Sequence, residues 1–151
     1  GVVAFSRARG SCLLVPFLLA ACTPMDGLNP LMDPRARPFI ATSDMPTPPN
    51  VERAARSDQC AGEPLRAVAA RLPDYPARGW SRGLQGWAIV QFDVAPGGAT
   101  ENVAVARGVP GGSFDTEARR AVAEWRFEPV SRPLSGCVVL FQFTQGEVRI
   151  G

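Results

Sequence analysis

The chain has 151 residues, enough for one domain with extensions, and a net charge of +2, too small to direct it to nucleic acid or to steer acidic ligands. It contains no histidine, which removes the usual general base and the commonest metal ligand. No Ser or Cys can therefore draw on a His base, so the expectation is a non-enzyme with no catalytic residue, no metal site and no cofactor.

Residues 1–22 resemble an export signal. Arg7 and Arg9 form a basic start, and Ser11 to Ala21 is a short apolar run. Leu19-Ala20-Ala21-Cys22 resembles a bacterial lipobox, in which small residues precede the Cys that becomes a lipid-bearing N-terminus, so Cys22 is the lipidation candidate. In proteins with this signal a Thr after the Cys, here Thr23, goes with the outer membrane. The apolar run is about half the ~20 residues a membrane-spanning helix needs. The alternative is a short membrane anchor or a buried helix.

Residues 23–58 read as a Pro-rich disordered linker, with Pro24, Pro30, Pro34, Pro38, Pro46, Pro48 and Pro49 and no sustained hydrophobic period. The alternative is a structured segment with Phe39-Ile40 docked on the domain. Residues 59–151 are the expected folded domain. Its first element is a helix over Pro64 to Leu72, with Pro in the first turn and Leu65, Val68, Ala69 and Leu72 on one face. Pro73 ends it, and Tyr75-Pro76 begins a short turn or helix towards Gly79 or Gly83. Trp80 and Trp87 flank that piece as packing residues of the domain edge.

Gly86 to Val94 alternates, with Ala88, Val90, Phe92 and Val94 on one face, as a half-buried strand requires. Ala95-Pro96-Gly97-Gly98 supplies turn chemistry, and Glu101 to Arg107 returns as the second strand of a hairpin. Gly111-Gly112 breaks the chain and Ser113 serves as N-cap of a helix. Ala118, Ala121, Val122 and Trp125 share one face of that helix, which ends before Glu128-Pro129. Cys137 to Phe143 is β-rich and apolar at nearly every position, and forms the last core strand. Fold class is α+β: a small antiparallel sheet in the order β-β-α-β with one main helix on one face.

Tyr75-Pro76, Gly86 opening an alternating strand, Phe92-Asp93-Val94 before a Gly turn, Phe114-Asp115 opening a helix, and Trp125-Arg126-Phe127-Glu128-Pro129 closing it together resemble the C-terminal domain of TonB-family proteins. The resemblance covers about Pro73 to Phe143. It implies a periplasm-facing envelope protein whose C-terminal domain binds outer-membrane TonB-dependent receptors or other envelope proteins and takes part in transport across the outer membrane. The last strand is the family's peptide-binding edge. Phe141, Gln142, Phe143, Thr144 and Gln145 are its partner-binding candidates here, flanked by Tyr75 and Pro76. A partner's extended segment would pair with this edge unless the chain's own tail, Glu147 to Ile150, or a second copy of the domain covers it.

Cys60 and Cys137 both fall in the expected domain. Outside the cytosol such thiols pair, the alternative being two separate buried thiols that behave as small hydrophobes. Two Cys without His disfavour zinc. The family couples to its motor complex through a membrane-embedded His, and this chain has none. The alternative function is therefore a non-transducing periplasmic scaffold lipoprotein that forms a homodimer or contacts the cell wall.

Overall fold

A computed structural model describes residues 32–49 and 59–151. The expected signal, Cys22 and residues 23–31 and 50–58 lie outside them. The strands are β1 (Gln59–Cys60), β2 (Glu63–Pro64), β3 (Ala67–Ala69), β4 (Gly86–Val94), β5 (Thr100–Val109), β6 (Arg126–Phe127), β7 (Leu134–Thr144) and β8 (Glu147–Ile150). Two α-helices, α1 (Ala77–Ser81) and α2 (Asp115–Ala123), and a 3-10 turn at Pro34–Ala36 complete the described elements. No helix among the described residues is long and apolar enough to cross a membrane.

The fold is α+β and antiparallel. Its main sheet has four strands in the order β5-β4-β7-β8. Strand β4 is central because both its neighbours read the same alternation: Val90 faces Val105 on one side and Val139 on the other. Ala88, Val90, Phe92 and Val94 are buried on one face, together with Val139, Phe141 and Phe143 of β7. Helix α2 covers that face with Ala118 and Val122, neither with any exposed surface. Removing this apolar area from water is the main stabilising term of the domain.

Aromatic rings close the two ends of the core. Phe114 stacks on Phe143 with centroids 4.4 Å apart, and Tyr75 meets Phe143 edge-on at 5.8 Å. At the other end Trp125 stands edge-on to Phe92 and Phe141, at 6.0 and 5.7 Å.

Cys60 of β1 is bonded to Cys137 of β7 at a Cα–Cα distance of 5.1 Å, inside the ordinary range for a cystine.

Several expected elements differ. No helix forms over Pro64 to Leu72. That segment holds β2 and β3, and Ala67 and Ala69 pair with Phe127 and Arg126 of β6. Of its supposed helical face only Leu65 is buried, while Val68 and Leu72 are 68% and 42% exposed, so no partner surface rewards a helix. The main helix starts one residue later than a Ser113 cap would place it. Phe114 is the cap residue, and the Ser113 N–H donates to the Pro110 carbonyl in the preceding turn. The helix stops at Ala123, leaving Trp125 just outside it but still buried.

The expected linker also differs in its described part. Residues 37–43 lie against α1, held by Phe39 between Tyr75 and Trp80 and by backbone hydrogen bonds at Arg37 and Thr42. One aromatic anchor and paired backbone groups offset the ordering cost that the Pro-rich composition leads one to expect would prevail.

Candidate partner-binding site

The predicted site residues gather at one end of the sheet. Tyr75 is buried, and its hydroxyl donates to the Leu84 carbonyl. Burial pushes its pKa up to about 12. Pro76 caps α1, where its fixed φ suits the start of a helix and its missing N–H costs nothing. Phe141 and Phe143 point into the core with no exposed surface, so neither side chain is available to a partner. Gln142 faces the other side of the sheet and is half-buried.

Thr144 and Gln145 meet a residue that sequence reasoning missed. Gln85 is 4% exposed, and its Oε1 accepts from the Thr144 hydroxyl at 2.8 Å and the Gln145 N–H at 2.9 Å. Its Nε2 donates to the Ser43 carbonyl at 2.7 Å. A buried amide must be satisfied in this way or it destabilises the fold. Phe39 and Trp80 also pack edge-on against Tyr75, in line with the docked alternative for the Phe39 segment and the packing role expected for Trp80.

The edge expected to receive a partner is covered in part. Phe141, Gln142, Phe143 and Thr144 pair with Ile150, Arg149, Val148 and Glu147 of β8, and the Gly151 N–H donates to the Leu140 carbonyl. The chain's own tail therefore occupies the edge over these residues, and β7 is internal there. The cause is the turn at Gln145–Gly146: both residues have positive φ, at 51° and 78°, the geometry that lets a tight hairpin follow the strand twist. Towards its start β7 runs on past the tail, and Cys137 there bonds to β1.

On the opposite face of the sheet Trp87 is buried under the Arg107 guanidinium, which lies 5.5 Å from the ring centroid. The packing role expected for Trp87 is thus filled by a cation–π contact within the chain.

Comparison with known proteins agrees with this architecture. The family model for the Gram-negative bacterial TonB protein C-terminal matches residues 71–140. Protein TonB of Escherichia coli strain K12 is 38% identical over 78 residues, covering 52% of this chain and 32% of that protein. Protein TonB of Klebsiella pneumoniae is 30% identical over 131 residues, covering 84% of this chain and 54% of that protein. The chain thus spans about half or less of the length of these curated relatives. The solution structure of the Pseudomonas aeruginosa TonB C-terminal domain is 30% identical, with a TM-score of 0.50 over 62% of this chain and 93% of that one. Through residues 71–140 the chain belongs to the TonB C-terminal domain family.

Proposed function

We propose that this domain is the partner-binding module of a TonB-like envelope protein, and that it takes an extended segment of an outer-membrane receptor by strand addition beside β7. The observation that carries the reading is the slightness of what covers that edge. Strand β8 is four residues long against eleven in β7. It buries no side chain fully, and Ile150 is 41% exposed. An incoming strand restores the backbone pairs that β8 gives up, so the exchange loses little apolar burial. Gln142 and Thr144 of β7 then set selectivity, with Tyr75 and Pro76 beside them.

In this reading the domain serves transport across the outer membrane, faces the periplasm and is held to the membrane by lipid on Cys22. Replacing Cys22 by Ser should release the protein or leave it unprocessed; a variant that stays membrane-bound at its processed mass sinks the anchor.

The strand-addition test is an amide-shift titration of an extended receptor N-terminal peptide into the protein and into Arg149→Pro. Arg149 faces Gln142. Antiparallel alternation from the Gly151–Leu140 bond makes that a hydrogen-bonded pair, so proline there removes a ladder donor. The variant should bind more tightly, with shifts along Val138 to Gln145. Shifts confined to α2 while β8 keeps its protection would refute the idea.

The outer edge of β8 ends the sheet among the described residues and favours a second reading, a scaffold that dimerises strand to strand. Sedimentation distinguishes it: a concentration-dependent dimer lost in Arg149→Pro supports the scaffold.

A further inference from the structure

Residues 37–43 run along α1 and the segment after it, from Trp80 to Gln85. Their contacts are those a receptor makes with a peptide. Trp80 donates its indole N–H to the Arg37 carbonyl at 2.8 Å. The Thr42 N–H donates to the Gly83 carbonyl at 2.9 Å, and the Thr42 hydroxyl donates to the Arg82 carbonyl. Gln85 donates to the Ser43 carbonyl. Phe39 stands edge-on to both Tyr75 and Trp80, at 5.2 and 5.3 Å. The neighbouring Ile40 points outward, 73% exposed. The groups recognised are backbone, a small hydroxyl and one ring.

The groove is shaped around this backbone. A Cβ on Gly83 would collide with the Ile40 carbonyl oxygen and lie 2.8 Å from the Thr42 nitrogen. One on Gly146 would lie 3.1 Å from Phe39 Cβ and 3.0 Å from the Trp80 ring. Positive φ alone does not produce such approaches: Gly62, Gly112 and Gly136 share it and have nothing within 4 Å. Gln85 forms the inner wall, holding the strap with one end of its amide and the β7–β8 turn with the other.

We propose that Tyr75, Trp80, Gly83, Gln85 and Gly146 form a second peptide-binding groove. Its ligand class is an extended segment carrying Pro-aromatic followed by a Ser or Thr, and residues 37–43 fill it in cis as a displaceable plug. This goes beyond strand addition at β7, because the groove lies across α1 and reads an aromatic side chain rather than a bare strand. Pro38 fixes φ ahead of the ring and lowers the ordering cost of any ligand built this way. Because the plug is part of the same chain, a partner segment must be presented locally at a concentration that competes with an intramolecular ligand, or meet a protein whose plug has been released.

The experiment uses the whole chain and a fluorescent peptide of residues 35–44. Phe39→Ala removes the plug's anchor without touching the groove. It should bind the peptide at least about tenfold more tightly than the native chain does. Adding Gly83→Ala to it should abolish binding, as should Ala for Phe in the peptide. Phe39→Ala that keeps the native circular dichroism and the Cys60–Cys137 bridge, yet binds no better than the native chain, overturns the proposal. If Phe39→Ala does not fold, the native chain decides. Millimolar peptide should collapse the exchange protection of the Thr42 amide, and unchanged protection overturns the proposal.

Discussion

Trp125 donates its indole N–H to the carbonyl of Arg71 at 2.8 Å, across 54 residues of chain. This bond ties the segment leaving β3 to the end of α2 and stops the ring from turning away from Phe92 and Phe141. Trp125→Phe keeps an aromatic ring but loses the donor and part of the volume. It should lower unfolding stability by roughly 2 kcal/mol. A urea midpoint shifted down at constant slope is the expected result; an unchanged midpoint would show that the bond contributes nothing.

Tyr75 is the chain's sole tyrosine, so tyrosinate absorbance reports it alone. Its folded pKa is raised to about 12 by burial, against about 10 for an exposed phenol. The neutral form is the one the fold favours. Its contribution is fully present below about pH 10 and is lost as pH rises to about 12. Native protein should ionise later than urea-unfolded protein, and Tyr75→Phe should flatten the alkaline loss of stability. Coincident titration curves for native and unfolded chains count against this.

The cystine closes a loop with a sequence separation of 77. Replacing Cys60 and Cys137 together by Ser should cost about 2–4 kcal/mol, chiefly by freeing the unfolded chain. The check is thermal unfolding of the double variant beside the oxidised parent. Equal midpoints would mean that the bridge adds no stability.

Gly97 and Gly98 adjoin in the β4–β5 turn yet should respond unequally to alanine. Gly98 has φ of 95°, and a Cβ there would run into the Phe127 carbonyl oxygen, while the Phe127 N–H donates to the Gly98 carbonyl at 2.8 Å and holds the turn close. Gly98→Ala should cost at least about 1–3 kcal/mol. A Cβ on Gly97 would meet nothing within 4 Å, so Gly97→Ala should stay within about 0.5 kcal/mol of the parent. Similar midpoints for the two variants would contradict this account.

Strand β4 and helix α2 could be read from the residues because each carries its own period: Ala88, Val90, Phe92 and Val94 alternate, and Ala118 and Val122 are a helical turn apart. Their burial follows from local pattern alone. Strands β3 and β6 could not, since elements of three and two residues have no period, and it is their mutual pairing that creates them. The same long-range pairing overrode the helical spacing of Leu65, Val68 and Leu72. Tyr75 and Pro76 enter as partner-binding candidates only through the family resemblance. The place of Gln85 was not legible, because it consists in touching Ser43 and Thr144, residues remote from it and from each other. Strand β8 was foreseen only as one way of covering an edge, since its residues bury too little to announce a strand.

The bridge between β1 and β7 also decides how the domain bears a pull. Tension applied upstream of the strap first peels Phe39 away from Tyr75 and Trp80. It then reaches Cys60 and crosses the sulfurs directly into β7. The chain between positions 60 and 137 carries none of the load, and roughly 260 Å of contour stays in reserve behind the bond. A stretched molecule with the bridge intact should lengthen only by its leader and tail, whereas a reduced one should pay out the whole sheet.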